Sequence, residues 1–194
     1  TMRAYGAEVI LTSKELGIEG ARDHALDLKY KKGYFRLNQF DNPDNAKAHY
    51  KTTGPEIWRD TEGEVTHFIA AMGTTGTIMG VSSFLKEQNK DIQIIGAQPK
   101  DGAKIPGIRK WPQEYLPAIF NAAKVDQVIE VSEAEAKEMT QRLASEEGVF
   151  AGMSSGGSVL TAIKVAEKLE KGVVVAIVCD RGDRYLSSPL FEKE

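Results

Sequence analysis

Cysteine is nearly absent from the chain: Cys179 stands alone. That excludes an intrachain disulfide and a multi-cysteine zinc site, and makes the reducing cytoplasm the expected home. Histidine is scarce too. His24, His49 and His67 lie far apart without a His-x-x-x-His pair, so they read as surface or core residues and no metal is expected. No apolar run approaches the roughly 18 residues that a membrane-crossing helix needs, and no membrane partner is expected. No Lys/Arg block with interleaved aromatics appears, and the net charge is −3, so nucleic acid is not an expected partner either. The chain opens without a basic stretch followed by an apolar leader, and it carries no internal repeat.

What is present suits an α/β protein. At 194 residues with 41% hydrophobic content, the chain is long enough for one α/β domain, or for one domain with part of another. Glu8–Thr12 and Tyr34–Phe40 are predicted as short strands, and Glu19–Lys31, with Ala21, Ala25 and Leu28 on one side, as a helix stopped at Gly33. The opening residues read as the middle of an αβ alternation; a fragment, a processed chain and a chain with further residues upstream all fit that start. Asp41-Asn-Pro-Asp-Asn45 is a dense turn cluster dividing two lobes, 1–40 and 41–194. A helix over Ala46–Thr61 with a kink at Gly54-Pro55 follows.

Downstream the alternation is regular and predicts a mostly parallel sheet layered with helices. Strands are expected at 65–72, Ile92–Ala97, Val128–Val131 and Val173–Cys179. Helices are expected at 76–89, 133–147 and 155–170. Ser132 and Glu135 form a capping box at the start of the second of these.

The densest chemical signal lies where the first of these strands ends. Val65-Thr-His-Phe-Ile-Ala-Ala-Met72 feeds Gly73-Thr-Thr-Gly-Thr-Ile-Met-Gly80, which opens a helix. Gly73 and Gly76 let a phosphate approach the backbone, Thr74, Thr75 and Thr77 offer hydroxyls, and the helix start offers N–H groups and its positive dipole end. The glycines do not follow the G-x-G-x-x-G order of dinucleotide folds, and no Gly-Lys-Ser/Thr follows, so neither common nucleotide loop is spelled. An ordinary strand-to-helix turn needs the same small residues, and residue chemistry alone does not choose between the two.

Two further segments stand out. The stretch from Lys100 to Ala118 holds Pro106, Pro112 and Pro117 around Ile108-Arg-Lys-Trp111, long enough to be a functional loop or a solvated excursion. Ala151-Gly-Met-Ser-Ser-Gly-Gly157 opens another helix with small, hydroxyl-bearing residues. Two such turns on one edge of a parallel sheet can hold opposite ends of one ligand. A tight helix contact would also require residues this small.

Four segments in order, Gln39-Phe-Asp-Asn-Pro-Asp-Asn45, Gly73–Gly80, Gly152-Met-Ser-Ser-Gly156 and Cys179-Asp-Arg-Gly-Asp-Arg-Tyr-Leu186, together resemble the cysteine synthase family across essentially the whole chain. The loop around Arg109 resembles that of the family's B isozyme. The resemblance implies a fold-type II pyridoxal 5′-phosphate (PLP) enzyme of two lobes, the amino-terminal one incomplete here. It implies a homodimer making L-cysteine by β-replacement on O-acetyl-L-serine with sulfide or thiosulfate. Gly73, Thr74, Thr75, Gly76 and Thr77 would hold the cofactor phosphate. Ser154, with Ser155 beside it, would meet the pyridine nitrogen, and Gln39 the substrate carboxylate. A serine hydroxyl leaves the ring a weaker electron sink than an aspartate does, which favours β-elimination over transamination.

Arg109 and Lys110 would receive an anionic sulfur donor such as thiosulfate, or a phosphorylated serine. The B pattern more usually has two arginines, and Lys110 cannot make a planar bidentate contact. Cys179 is expected to be buried and inert. The Schiff-base lysine of the family lies upstream of the matching part, so no catalytic residue is assigned and the chain alone is expected to be inactive. Ser83-Phe-Leu-Lys86 does not supply that lysine, because Lys86 is expected to point to solvent. Another fold-type II enzyme, cystathionine β-synthase-like or serine dehydratase-like, and a non-catalytic phosphate-binding module are the alternatives.

Overall fold

The computed structural model describes residues 1–192 and divides into two compact units, Thr1–Asn38 and the rest of the chain from Gln39. In the first unit, α1 (Gly17–Lys32) covers the predicted helix, and Gly33 closes it in the left-handed conformation with its N–H on the Lys29 carbonyl. The two strands predicted at 8–12 and 34–40 do not form. A strand needs a neighbour for its backbone ladder, and this unit holds no second strand among the described residues, so residues of high strand propensity remain irregular.

The second unit is a four-stranded, all-parallel sheet in the order β3-β2-β1-β4. Its strands are β1 (Val65–Ala71), β2 (Gln93–Pro99), β3 (Gln127–Val131) and β4 (Val173–Ala176). Phe68 pairs in register with Ile94 of β2 and with Val175 of β4. Successive side chains of β1 point to opposite faces and both faces are covered, which explains the apolar run Phe68–Ala71 in its second half. Phe68 and Ala70 join a core with Ile78, Val81 and Leu85 of α4 (Gly76–Gln88), whereas Ile69 joins Ile95 and Val165 of α6 (Met153–Ala166).

α2 (Pro43–Lys51) and α3 (Thr53–Asp60) pack against α4, and α5 (Glu133–Glu146) packs against α6. The helix predicted as one kinked piece is therefore two, broken at Thr52 rather than at Gly54-Pro55. Pro55 has no N–H to give, and a break just before it places that deficiency in a first turn, where the donor is not needed. The capping box forms as predicted: Ser132 accepts from the Glu135 N–H, and Glu135 accepts from the Ser132 N–H at 2.9 Å. β4 is shorter than its prediction because the Cys179 N–H is taken by the Ser155 hydroxyl at 2.9 Å.

Candidate functional site

The two small-residue turns meet along the edge where the parallel strands end. After β1 the chain turns through Gly73–Thr75 into α4. Thr75 has φ +69°, a left-handed conformation that a β-branched residue adopts only under strain of about 1–3 kcal/mol. Thr75 is 5% exposed, and its Oγ1 is buried with no hydrogen-bond partner among the described residues. An unpaired buried hydroxyl is costly as well, so strain and an unmet polar atom coincide at one residue at the opening of α4. Thr75, the residue before α4, makes no capping bond with its own side chain.

The neighbouring hydroxyls are held in place. Asn45 Nδ2 donates to Thr74 Oγ1 at 3.1 Å and to the Gln39 carbonyl at 2.6 Å. The Thr74 hydroxyl accepts from the Gly76 N–H at 3.3 Å. Thr77 Oγ1 lies 3.2 Å from His49 Nε2, and His49 Nδ1 lies 2.9 Å from Thr53 Oγ1. Burial lowers the His49 pKa, favouring the neutral ring that both hydroxyls contact.

Gly107 lies between the two turns. A Cβ at Gly73 would lie 2.8 Å from the Gly107 carbonyl oxygen, and one at Gly107, where φ is +88°, would lie 3.0 Å from Ser154 Cβ and Oγ. These glycines allow three backbone segments to converge. Ser154 is 3% exposed at the start of α6, beside Ser155. Other small residues of that turn serve packing instead: a Cβ at Gly156 would strike Thr140 and the Ala136 carbonyl of α5.

The loop after β2 folds back over the same edge. Ile105 and Ile108 are buried beneath it, the Arg109 N–H donates to the Met72 carbonyl at 2.8 Å, and Trp111 Nε1 donates to the Gly73 carbonyl at 2.7 Å. The Trp111 ring meets Phe40 edge-on, with centroids 5.3 Å apart. Arg109 and Lys110 are both exposed, but Lys110 is held by Asp101 and Glu130. Gln39 is exposed and joins this edge through its carbonyl.

Past β4, Asp180 accepts from the Gly152 N–H at 3.2 Å and from the Tyr185 hydroxyl at 2.6 Å. Burial first, and then this bond to Asp180, push the Tyr185 pKa up to about 12. Cys179 departs from expectation in being exposed. Its thiol is nevertheless pushed up, chiefly by desolvation, against the lowering contact with Ser154.

Lys86 also departs from expectation: it pairs with Asp126 at 2.8 Å, its side chain 27% exposed, and does not simply face solvent. The concavity of about 920 Å³ along α5, lined by residues including Lys137, Gln141 and Phe191, shares no residue with the two turns. Asn45, His49, Gly107 and Trp111 are contributors that residue patterns did not single out. The His49/Thr53 spacing of four was a readable signal, whereas the role of Gly107 required three dimensions.

Curated relatives include cysteine synthase B of Pseudomonas aeruginosa, 57% identical over 191 residues (98% of this chain, 64% of that protein). Cysteine synthase B of Escherichia coli is 56% identical over 193 residues (100% of this chain, 64% of that protein). The chain thus spans about 64% of the length of these relatives. Among solved structures, a cysteine synthase from Entamoeba histolytica matches with a TM-score of 0.90 at 38% identity, covering 100% of this chain and 60% of that one. An O-acetylserine dependent cystathionine beta-synthase from Helicobacter pylori matches with a TM-score of 0.86 at 34% identity, covering 98% and 65%. The family model described as pyridoxal-phosphate dependent enzyme matches residues 1–180, and the chain belongs to that family, with its fold-type II architecture.

Proposed function

We propose that the full-length protein containing this chain serves L-cysteine synthesis by PLP-dependent β-replacement on O-acetyl-L-serine, releasing acetate, with sulfide as sulfur donor to give cysteine or thiosulfate to give S-sulfocysteine. The observation that carries this reading is Thr75: a buried hydroxyl without a partner, on strained backbone, at the opening of α4. A phosphate there would satisfy that hydroxyl and the first-turn N–H groups, and would gain from the helix dipole. The residues present therefore fit the PLP phosphate. The names of the relatives at 56–57% identity support the reaction class.

When bound, PLP supplies the electron sink that lets an amino acid lose its α-proton and a β-leaving group. In this proposal Gly73, Thr74, Thr75, Gly76 and Thr77 hold the phosphate. Ser154 offers the pyridine nitrogen a neutral hydroxyl, Gln39 orients the substrate carboxylate, and the loop of Arg109 and Lys110 receives an anionic donor. Asn45 and His49 fix the threonine hydroxyls, and Gly107 keeps the phosphate turn and Ser154 close. The lobes 1–40 and 41–194, a cytoplasmic setting and a homodimer complete the reading.

The Helicobacter pylori neighbour keeps the acceptor open as a second question. The test is β-replacement by the full-length protein on O-acetyl-L-serine, with sulfide, thiosulfate or homocysteine offered in turn and the amino-acid product and acetate release followed. Acetate is expected to leave with either inorganic donor, giving cysteine with sulfide and S-sulfocysteine with thiosulfate. Turnover with homocysteine alone would replace this reading by a cystathionine β-synthase-like one.

A further inference from the structure

Arg109 and Lys110 are adjacent cations that the fold treats differently. Lys110 Nζ lies 2.6 Å from Asp101 Oδ1 and 2.7 Å from Glu130 Oε1 on β3, and Gln98 Nε2 of β2 donates to the same Glu130 oxygen at 3.3 Å. The two carboxylates raise the Lys110 pKa, and Lys110 in turn lowers that of Glu130. The Arg109 side chain is exposed and makes no ion pair with any described residue, while its backbone N–H is fixed to Met72.

One ammonium against two carboxylates leaves the Lys110 cluster with a net negative charge. An approaching anion is repelled there and attracted one residue away. The guanidinium of Arg109 also presents a planar fork suited to a dianion, which a lysine cannot. The loop is thus pinned to Met72 by the Arg109 backbone, to β3 by Lys110 and to Gly73 by Trp111. Exposed ion pairs contribute little to global stability, so the function of this one is local: it fixes where the neighbouring side chain stands.

We infer that Lys110 is a positioning residue, clamped by Asp101 and Glu130 so that the loop presents Arg109 as the cation that meets the anionic sulfur donor. This rests on the donor-loop reading given above. Glu130→Gln separates the clamp from direct contact by the sign of its effect. A broken clamp loosens the loop and raises the KM for thiosulfate. If Lys110 itself touched the donor, removing Glu130 would free the ammonium, delete a negative charge and lower that KM.

The experiment is steady-state kinetics of the full-length PLP-loaded enzyme with thiosulfate and sulfide as alternative donors. Arg109→Ala is expected to raise the thiosulfate KM about tenfold, the scale of one lost charge-assisted contact. Glu130→Gln and Lys110→Met are each expected to raise it about threefold to tenfold, more for thiosulfate than for sulfide, and the double variant no further. Lys110→Arg, which keeps both contacts, is expected to restore the wild-type value. Calorimetric titration of thiosulfate into the same proteins should give the same ranking without turnover, and thermal melts identify any variant that has not folded. An unchanged thiosulfate KM in Arg109→Ala, or no thiosulfate use by the wild type, overturns the donor reading and this proposal with it. An elevated KM in Arg109→Ala beside an unchanged or lowered KM in Glu130→Gln overturns the clamp alone.

Discussion

Trp111 donates its indole N–H to the carbonyl of Gly73 at 2.7 Å, tying the loop after β2 to the first residue of the turn after β1. Displacement of one must therefore disturb the other. The same few residues bring Gly107 against both Gly73 and Ser154, so three segments distant in sequence form one surface at the ends of the strands.

Thr75 stores strain that a bound phosphate would offset. Thr75→Gly relieves the left-handed backbone but adds conformational freedom to the unfolded chain, of about 0.5–1 kcal/mol. The cofactor-free, full-length variant is expected to melt within a few degrees of wild type or above it. Its PLP affinity should fall about tenfold or more, the scale of a lost hydrogen bond to a charged group. Paired thermal melts and fluorescence titrations with PLP measure both, and unaltered PLP affinity would remove Thr75 from the phosphate site.

Gly107→Ala places a Cβ 3.0 Å from Ser154 at a φ of +88°. Overpacking and strain together are expected to cost about 1–3 kcal/mol. PLP binding should weaken as well, because Ser154 is the group displaced. Urea unfolding reads the stability loss, and a loss below about 0.5 kcal/mol would mean that the three segments are not closely packed.

Trp111→Phe removes the donor to the Gly73 carbonyl and retains a ring against Phe40. A loss of about 1 kcal/mol is expected from one neutral hydrogen bond, together with faster hydrogen exchange of Gly73–Thr77. Exchange confined to residues 109–111 would show that the loop and the turn are not mechanically joined.

Glu135 supplies the pH-dependent contribution. Its carboxyl is held well below the usual range, first by Lys164 and then by Ser132. A lowered folded pKa means that the stabilisation is fully present above the unfolded value of about 4.3 and is lost as pH falls through the folded value. Glu135→Gln, which keeps the capping-box bond but loses the charge paired with Lys164 and Lys100, should therefore cost about 0.5–1 kcal/mol, the scale of partly exposed ion pairs, at both pH 7 and pH 5. The difference should shrink only in stronger acid. Denaturant melts at pH 7, 5 and 3 follow it, and a difference that vanished by pH 5 would contradict the low carboxyl pKa.

The alternating part of the fold was legible because parallel strands covered on both faces leave short apolar runs, Phe68–Met72 and Ile94–Ala97, and the strands Val65–Ala71 and Gln93–Pro99 fall close to their predicted places. The capping box of Ser132 and Glu135 is a purely local signal and was read correctly. Strands at 8–12 and 34–40 were misread because strand propensity does not create a pairing partner. In the candidate site, Gly73–Thr77 stood out from residue chemistry as a phosphate turn or an ordinary strand-to-helix turn, because small residues and hydroxyls at helix starts are a local signal, whereas Ser154 was named from the family resemblance. The positive φ of Thr75, the placement of Gly107 and the engagement of Lys110 by Asp101 and Glu130 depend on segments distant in sequence, and no local pattern encodes them.

The phosphorus-31 NMR spectrum of the full-length protein loaded with PLP, followed from pH 5.5 to pH 8, tests the phosphate site most directly. Free phosphate monoesters titrate near pH 6. A phosphate held by the hydroxyls and N–H groups of Gly73–Thr77 should remain dianionic, with a constant shift across the range that changes in Thr75→Ala. A resonance that titrates like free PLP, or one indifferent to Thr75→Ala, would contradict the assignment of this turn as the cofactor phosphate site.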